Sequence, residues 1–310
     1  MIGVTTGEYF GIGPEILLKT FLELGDAFPP CKIYGSELLL RQKAKELNIA
    51  RFWENEPFEL METYTKPVQK GDTKFRAEYV LSTLDQSIQD AVDGKISAIV
   101  TCPIDKSVVQ YVLRDFTGHT EYLADKSNSP KTVMLLNNRE FSIALLTNHV
   151  SLRNVSKVLT SSNIEETIRT AAQSFSKHFH VIDPKIAVLG INPHAGELDI
   201  NSEEKELLIP VLEKMCKNGF NINGPFPSDS FFPKARKEKW DLIFSPFHDQ
   251  GLVAAKYNGL ENVINVTLGM PFLRISPGHG VAYDIADKNI ADHRSFKRAL
   301  LVAQKHSLHV

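Results

Sequence analysis

The run IGVT at 2–5 passes through TGEYFGIG at 6–13 into PEILLKTFLEL at 14–24. A segment of strand length meets a glycine-containing turn and then a helical pattern. That pattern opens on Pro14 and Glu15, a favoured first residue followed by an acid in the first turn. The alternation repeats along the chain. Strand-like runs stand at 32–34, 97–101, 132–136, 141–147, 186–192, 241–245 and 263–267. Several lack period-2 polarity, as strands covered on both faces do. Helical patterns fall at 37–48, 76–93, 104–113, 120–127, 162–179, 203–218 and 293–305. The one at 203–218 has Ser202 as its expected N-cap and Gly219 just past its end. Strand–helix alternation of this kind predicts an α/β fold, a mostly parallel sheet between layers of helix.

The chain has 310 residues, enough for two domains at about one per 150 residues. No Gly/Ser linker or internal repeat divides it, so two domains would be joined by elements that cross between them. Hydrophobic residues at 43% and charged residues at 23% fit a globular protein. Lys and Arg total 35 against 37 Asp and Glu, a net charge of −2. No basic field is present to hold nucleic acid or an anionic membrane, so phosphate recognition must come from a few placed groups. Three cysteines, Cys31, Cys102 and Cys216, form no CxxC and predict reduced thiols in the cytoplasm. The opening MIGVTTGEYF has no signal-peptide pattern, and no run approaches the ~18 apolar residues of a membrane span.

Three histidines follow predicted strands: His149 after FSIALLTN, His194 after IAVLGINP and His248 after DLIFSPF. Ligands bind at that edge of open α/β sheets. Imidazole is a common metal ligand, and three protein ligands leave a position open for substrate. The alternative is three ordinary loop histidines, since no HxH or HExxH pair accompanies them. Asp249 beside His248 is either an orienting partner for an imidazole or a helix cap. Lys256 lies eight residues beyond His248, about two turns along any helix there, and is otherwise a solvated charge.

Anion-binding candidates are fewer. GIGPE at 11–15 can present backbone N–H groups at a helix start, but it is neither a Walker A nor a GxGxxG motif. His119 and Thr120 in GHTEYLAD at 118–125 are phosphate donors or a plain helix start. Arg274 in LGMPFLRIS is an anion clamp or a surface ion pair.

Together these segments resemble the 4-hydroxythreonine-4-phosphate dehydrogenase family of pyridoxal-phosphate biosynthesis. The matching stretches are GIGPEI (11–16), VTCPIDK (100–106), GHTEYLAD (118–125), TNHVSLRNV (147–155), INPHAGE (191–197), GPFPSDSFF (224–232), FHDQGL (247–252), and NVTLGMPFLRIS (265–276) with HGVAYDIA (279–286). The resemblance implies a two-domain fold similar to the isocitrate and isopropylmalate dehydrogenases, with the active site in the interdomain cleft. The first domain is then 1–115 plus 262–310, on the cofactor side, and the second 116–261, on the metal side. It also implies a homodimer whose metal site draws on both subunits. The family's metal histidines fall on His149, His194 and His248, and its substrate residues on His119, Thr120, Lys256, Asn265 and Arg274. Lys256 and Asp249 are the candidates for the proton shuttle.

The implied reaction is metal-dependent oxidative decarboxylation of 4-phosphooxy-L-threonine by NAD or NADP, giving 3-amino-2-oxopropyl phosphate and CO2. Histidine ligands favour Zn2+ or Co2+ over Mg2+. Two loops depart from the family pattern. Glu8, Tyr9 and Phe10 replace a small Asp-Pro-Ala turn, with bulk expected near the cleft mouth. In GHGVAYDIADKN at 278–289, Gly278 replaces an Asp, and Asp287 and Asn289 replace glycines. Gly280, Asp284 and Asp287 are the expected cofactor contacts. A free Asp287 carboxylate would repel a 2′-phosphate and predict weak binding with a preference for NAD, unless it points to solvent. The competing readings are a dehydrogenase of D-threonate or D-erythronate 4-phosphate, and a non-catalytic metal-binding relative that has lost its dinucleotide site. Retention of all eight metal and substrate positions opposes the second.

Overall fold

A computed structural model describes residues 1–49, 58–197 and 200–307. It shows an α/β fold whose chain separates into two compact units, Met1–Pro130 with Leu260–Ile264 and Met270–Val310, and Lys131–Gly259 with Asn265–Gly269. Elements are numbered along the chain.

In the first unit the sheet runs β3 (Phe58–Glu62), β2 (Cys31–Gly35), β1 (Ile2–Thr5), β4 (Ala98–Thr101), β11 (Leu273–Pro277). Every pairing is parallel, with Ile2 opposite both Cys31 and Ala98, and Ala98 opposite Leu273. β1 is buried throughout, which explains its unbroken apolar character. α1 (Gly13–Leu24) buries Ile16, Leu17 and Leu18 completely, each worth about 1.5–3 kcal/mol. Through Oε1 its first-turn Glu15 pairs with Lys19 at 2.7 Å and accepts from Ala291 N at 2.8 Å. α2 (Glu37–Glu46) packs against α1, and α3 (Thr73–Val92) against β1 and β2. α4 (Lys106–Val109) and α5 (His119–Lys126) follow β4, and α11 (Arg294–Ser307) packs on β11 and β4. Residues 116–130, which the sequence reading groups with the second domain, cluster in this unit. Leu123 of α5 joins a core with Tyr79 and Leu84 of α3, and Tyr122 donates to Asp85 at 2.5 Å.

In the second unit the order is β10 (Ile264–Leu268), β5 (Val133–Asn137), β6 (Ser142–Leu145), β9 (Leu242–Ser245), β7 (Ile186–Leu189), β8 (Ile222–Phe226). β5 and β6 form an antiparallel hairpin, whereas β6–β9, β9–β7 and β7–β8 are parallel. The helices are α6 (Leu152–Val158), α7 (Ser161–Phe179), α8 (Ile209–Lys217), α9 (Ser228–Glu238) and α10 (His248–Lys256). The helix expected from 203 begins as a single π turn, Glu204–Leu208, with Glu203 rather than Ser202 at its cap. Gly219 past α8 has φ 90°, as a helix-ending glycine does.

The sequence reading omits β3, β8, β11, α6 and α9 and raises a helix beyond His248 only as a condition, and 104–113 shortens to the four residues of α4. Only Phe58 of β3 is buried, β8 carries a Gly-Pro pair, and β11 buries an arginine; none shows the apolar run of an interior strand. No helix among the described residues is long and apolar enough to cross a membrane.

Candidate active site

In the first unit a cationic group gathers near the end of β4, which Arg274 reaches from the start of β11. Arg274 on β11 is only 3% exposed and donates from Nη2 to Thr101 Oγ1 at 2.8 Å. Burial pulls its pKa down to about 10, against the opposing pull of Glu121. It remains charged at neutral pH, so an enclosed cation stands ready for an anion. His119 opens α5 and is half-buried, and its enclosed Nε2 has no hydrogen-bond partner. Burial, then the charges of Arg274 and Lys106, hold its pKa well below the usual histidine value. The ring is therefore neutral at pH 7, with one nitrogen to offer a ligand. Thr120 is the next residue of α5 and is half-buried. Lys106 and Glu121 flank Gly118, with Nζ 3.5 Å and Oε2 3.1 Å from where a Cβ would sit there. Lys106 and Thr101 were not singled out from sequence. Both lie in or beside VTCPIDK at the end of a strand, and that position was the available signal.

In the second unit the three histidines follow three adjacent parallel strands, His149 after β6, His248 after β9 and His194 after β7. Their backbones reach one edge of the sheet by construction. The ring centroids of His149 and His248 are 5.5 Å apart at 45°. His149 and His194 both have positive φ, 51° and 53°. Non-glycine residues seldom adopt that conformation, and it clusters at ligand sites. His248 Nδ1 is engaged by Asp249 Oδ1 at 2.7 Å, which leaves Nε2 to coordinate. No group of three His, Cys, Asp or Glu within one chain is placed to hold a metal ion among the described residues. A set of imidazoles with one ring already oriented fits Zn2+ or Co2+ better than Mg2+. α10 does run through to Lys256, so that half-buried lysine shares the helix that His248 begins. Asn265 on β10 has a buried Oδ1 with no hydrogen-bond partner, an acceptor left for a ligand.

The departing loops carry a network of their own. Glu8 is fully buried and accepts from Arg76 Nε at 2.8 Å. Burial raises its pKa, and Arg76 offsets only part of the rise. Arg76 Nη2 donates to Tyr283 Oη at 2.7 Å, and Tyr283 donates to Asp105 at 2.9 Å. The guanidinium lies 5.8 Å from the Phe10 ring and 5.7 Å from the Tyr283 ring. A cavity of about 410 Å3 opens beside Phe10, Arg76, Asp105 and Tyr283. One expectation is corrected here. Tyr9 is buried against Tyr79 at 5.1 Å, because its ring completes the α3 core rather than standing at a mouth. Asp287 is exposed, and Lys70 Nζ lies 3.1 Å from its Oδ2. Gly280 has open space where a Cβ would stand, and Asp284 is exposed.

A family model described as pyridoxal phosphate biosynthetic protein PdxA matches residues 29–303. The 4-hydroxythreonine-4-phosphate dehydrogenase of Saccharophagus degradans is 34% identical over 98% of this chain and 94% of its own length. That of Neisseria meningitidis serogroup A is 36% identical over 98% and 96%. The crystal structure of the Klebsiella pneumoniae enzyme of the same name superposes with a TM-score of 0.85 at 28% identity, covering 99% of each chain.

Proposed function

This chain belongs to the family of the pyridoxal phosphate biosynthetic protein PdxA, and from that membership we propose that it is a cytoplasmic, homodimeric 4-hydroxythreonine-4-phosphate dehydrogenase. The reaction is oxidation of 4-phosphooxy-L-threonine at C3, with hydride passing to NAD or NADP. The β-keto acid then loses CO2 to give 3-amino-2-oxopropyl phosphate. The observation that carries this reading is the anion-binding group of the first unit, the buried Arg274 guanidinium with His119 and Lys106 beside it.

His149, His194 and His248 would hold a divalent ion, one of them supplied by the other subunit. When bound, such an ion supplies Lewis acidity toward the substrate hydroxyl and the developing enolate. Arg274 binds an anionic oxygen of the substrate with a fixed planar fork. Neutral His119 and Thr120 donate to the same class of group without adding charge. Asn265 Oδ1 accepts from a substrate N–H or O–H. Asp249 orients the His248 ring, and Lys256 is the residue of α10 suited to carry a proton to or from the reacting carbon. Gly280, Asp284 and Asp287 would face the cofactor, and a carboxylate at 287 would favour NAD over NADP.

Nicotinamide reduction with 4-phosphooxy-L-threonine, with and without added Zn2+, Co2+ or Mg2+, tests the reading. Turnover that requires both substrate and metal is expected. Faster turnover of D-threonate 4-phosphate in a parallel assay would assign a different substrate. Metal and phosphate binding without any reduction would make the chain a non-catalytic relative.

A further inference from the structure

The loop carrying His194 is built on a buried carboxylate. Glu204 has no exposed surface. Its Oε1 accepts from Ile191 N at 2.7 Å and Asn192 N at 2.6 Å, and its Oε2 from Asn192 Nδ2 at 2.9 Å. Burial pushes the Glu204 carboxyl up, but these bonds outweigh it and hold the group below the usual carboxylate range. The two residues before Pro193 and His194 are thus tied to a fixed negative charge.

Close approach on the far side of the loop completes the clamp. A Cβ on Gly196, where φ is 70°, would stand 2.5 Å from Glu204 Oε2. One on Gly190 would stand 2.7 Å from Ala195 Cα and 3.3 Å from Glu204 Oε1. Between these glycines His194 and Ala195 both have left-handed φ, 53° and 52°. Two such residues in succession persist only where the surroundings over-determine them. Glu204 itself begins the π turn Glu204–Leu208, an irregularity frequent at functional sites. The same loop is joined to the helix of a second histidine. Gln250 Nε2, two residues past His248, donates to Gly190 O at 2.8 Å, and Gln250 Oε1 accepts from Ser245 Oγ at 2.7 Å.

The geometry points to Glu204 as the positioning residue for His194: through Ile191 and Asn192 it holds that imidazole's backbone in the strained turn from which it reaches a metal. The inference rests on the metal reading given above. Glu204 touches no reacting atom, and its effect is on the placement of a ligand.

Titration of the metal-stripped full-length protein with Co2+, followed by visible absorption and calorimetry, tests it. Glu204→Gln keeps the size and the Oε1 acceptor but turns a donor toward Asn192 Nδ2. Loss of such a supporting bond is expected to weaken Co2+ binding by about 10- to 100-fold and to alter the visible band. The far-UV circular dichroism and the affinity for inorganic phosphate should not move, which separates this role from general support of the fold. Co2+ affinity within about twofold of wild type overturns the role, since supporting partners usually matter more than that. Asn192→Ala removes only the side-chain donor and should give a smaller loss in the same direction. If Glu204→Gln does not fold, unchanged affinity in Asn192→Ala overturns the proposal. His194→Ala separates the two readings. If it binds Co2+ as wild type does, the ligand assignment itself falls. Binding lost in His194→Ala but kept in Glu204→Gln removes only the role of Glu204.

Discussion

Arg274 is a cation held almost out of water, and two predictions follow from the charges around it. Arg274→Lys keeps the charge but gives up the planar fork and the bond to Thr101. A charged hydrogen bond in a buried site is worth about 1.5–3 kcal/mol, so kcat/KM should fall by about ten- to a hundredfold. Steady-state kinetics within twofold of wild type would take Arg274 out of the site. His119 is depressed below its ordinary value of 6.5 by burial and then by Arg274 and Lys106. Below that pH the unfolded chain takes up a proton that the folded chain refuses, so stability drops as pH falls. The loss from one such histidine reaches up to about 2 kcal/mol between pH 6.5 and 5. His279 is lowered by its own burial and adds in the same direction. Urea unfolding at the two pH values should therefore show a smaller loss for His119→Gln than for wild type. An equal loss would mean that His119 is not held neutral.

The β5–β6 hairpin bears on the site through one side chain. Asn138 is 5% exposed, accepts from Glu140 N and Phe141 N at 2.8 and 2.7 Å, and donates to Ala255 O at 2.9 Å. It closes the turn and ties down the end of α10 beside Lys256. Asn138→Ala strands buried backbone groups at about 1–3 kcal/mol, which a shift in the urea midpoint would register. The elements read correctly from sequence are those whose burial is continuous, such as β1, β4 and β9, and long amphipathic helices such as α3 and α7. β11 escaped because its burial includes Arg274, a residue that looks like surface until an anion is imagined beside it. The histidines were legible as residues after strands, and Arg274 as a lone cation in LGMPFLRIS. Lys106 was not, since a lysine after Asp105 looks like an ordinary helix start until the fold brings it near His119. Glu204 was illegible for the same reason, because its partners lie twelve and thirteen positions earlier.

Across the whole molecule, the rings of His149 and His248 lie 5.5 Å apart within one chain, which suits them to serve one ion together. On the proposal that the third ligand, His194, comes from the second subunit, His149→Ala mixed with His194→Ala should regain about a quarter of wild-type activity, half of random dimers being mixed with one of two sites intact. Mixing His149→Ala with His248→Ala should regain none. Recovery in both mixtures, or in neither, would contradict this division of ligands. The chain Glu8–Arg76–Tyr283–Asp105 runs from a buried carboxylate to the surface and ties four segments that are remote in sequence. Its members are coupled, so their substitutions do not add. Replacing Glu8 by a smaller residue removes the only partner of Arg76 Nε among the described residues, and replacing Arg76 first leaves Glu8 buried with its proton or its charge. Glu8→Ala and Arg76→Ala are each expected to lower the urea midpoint, and the double variant to fall by less than their sum, so that the unusual loop behaves as one epistatic block.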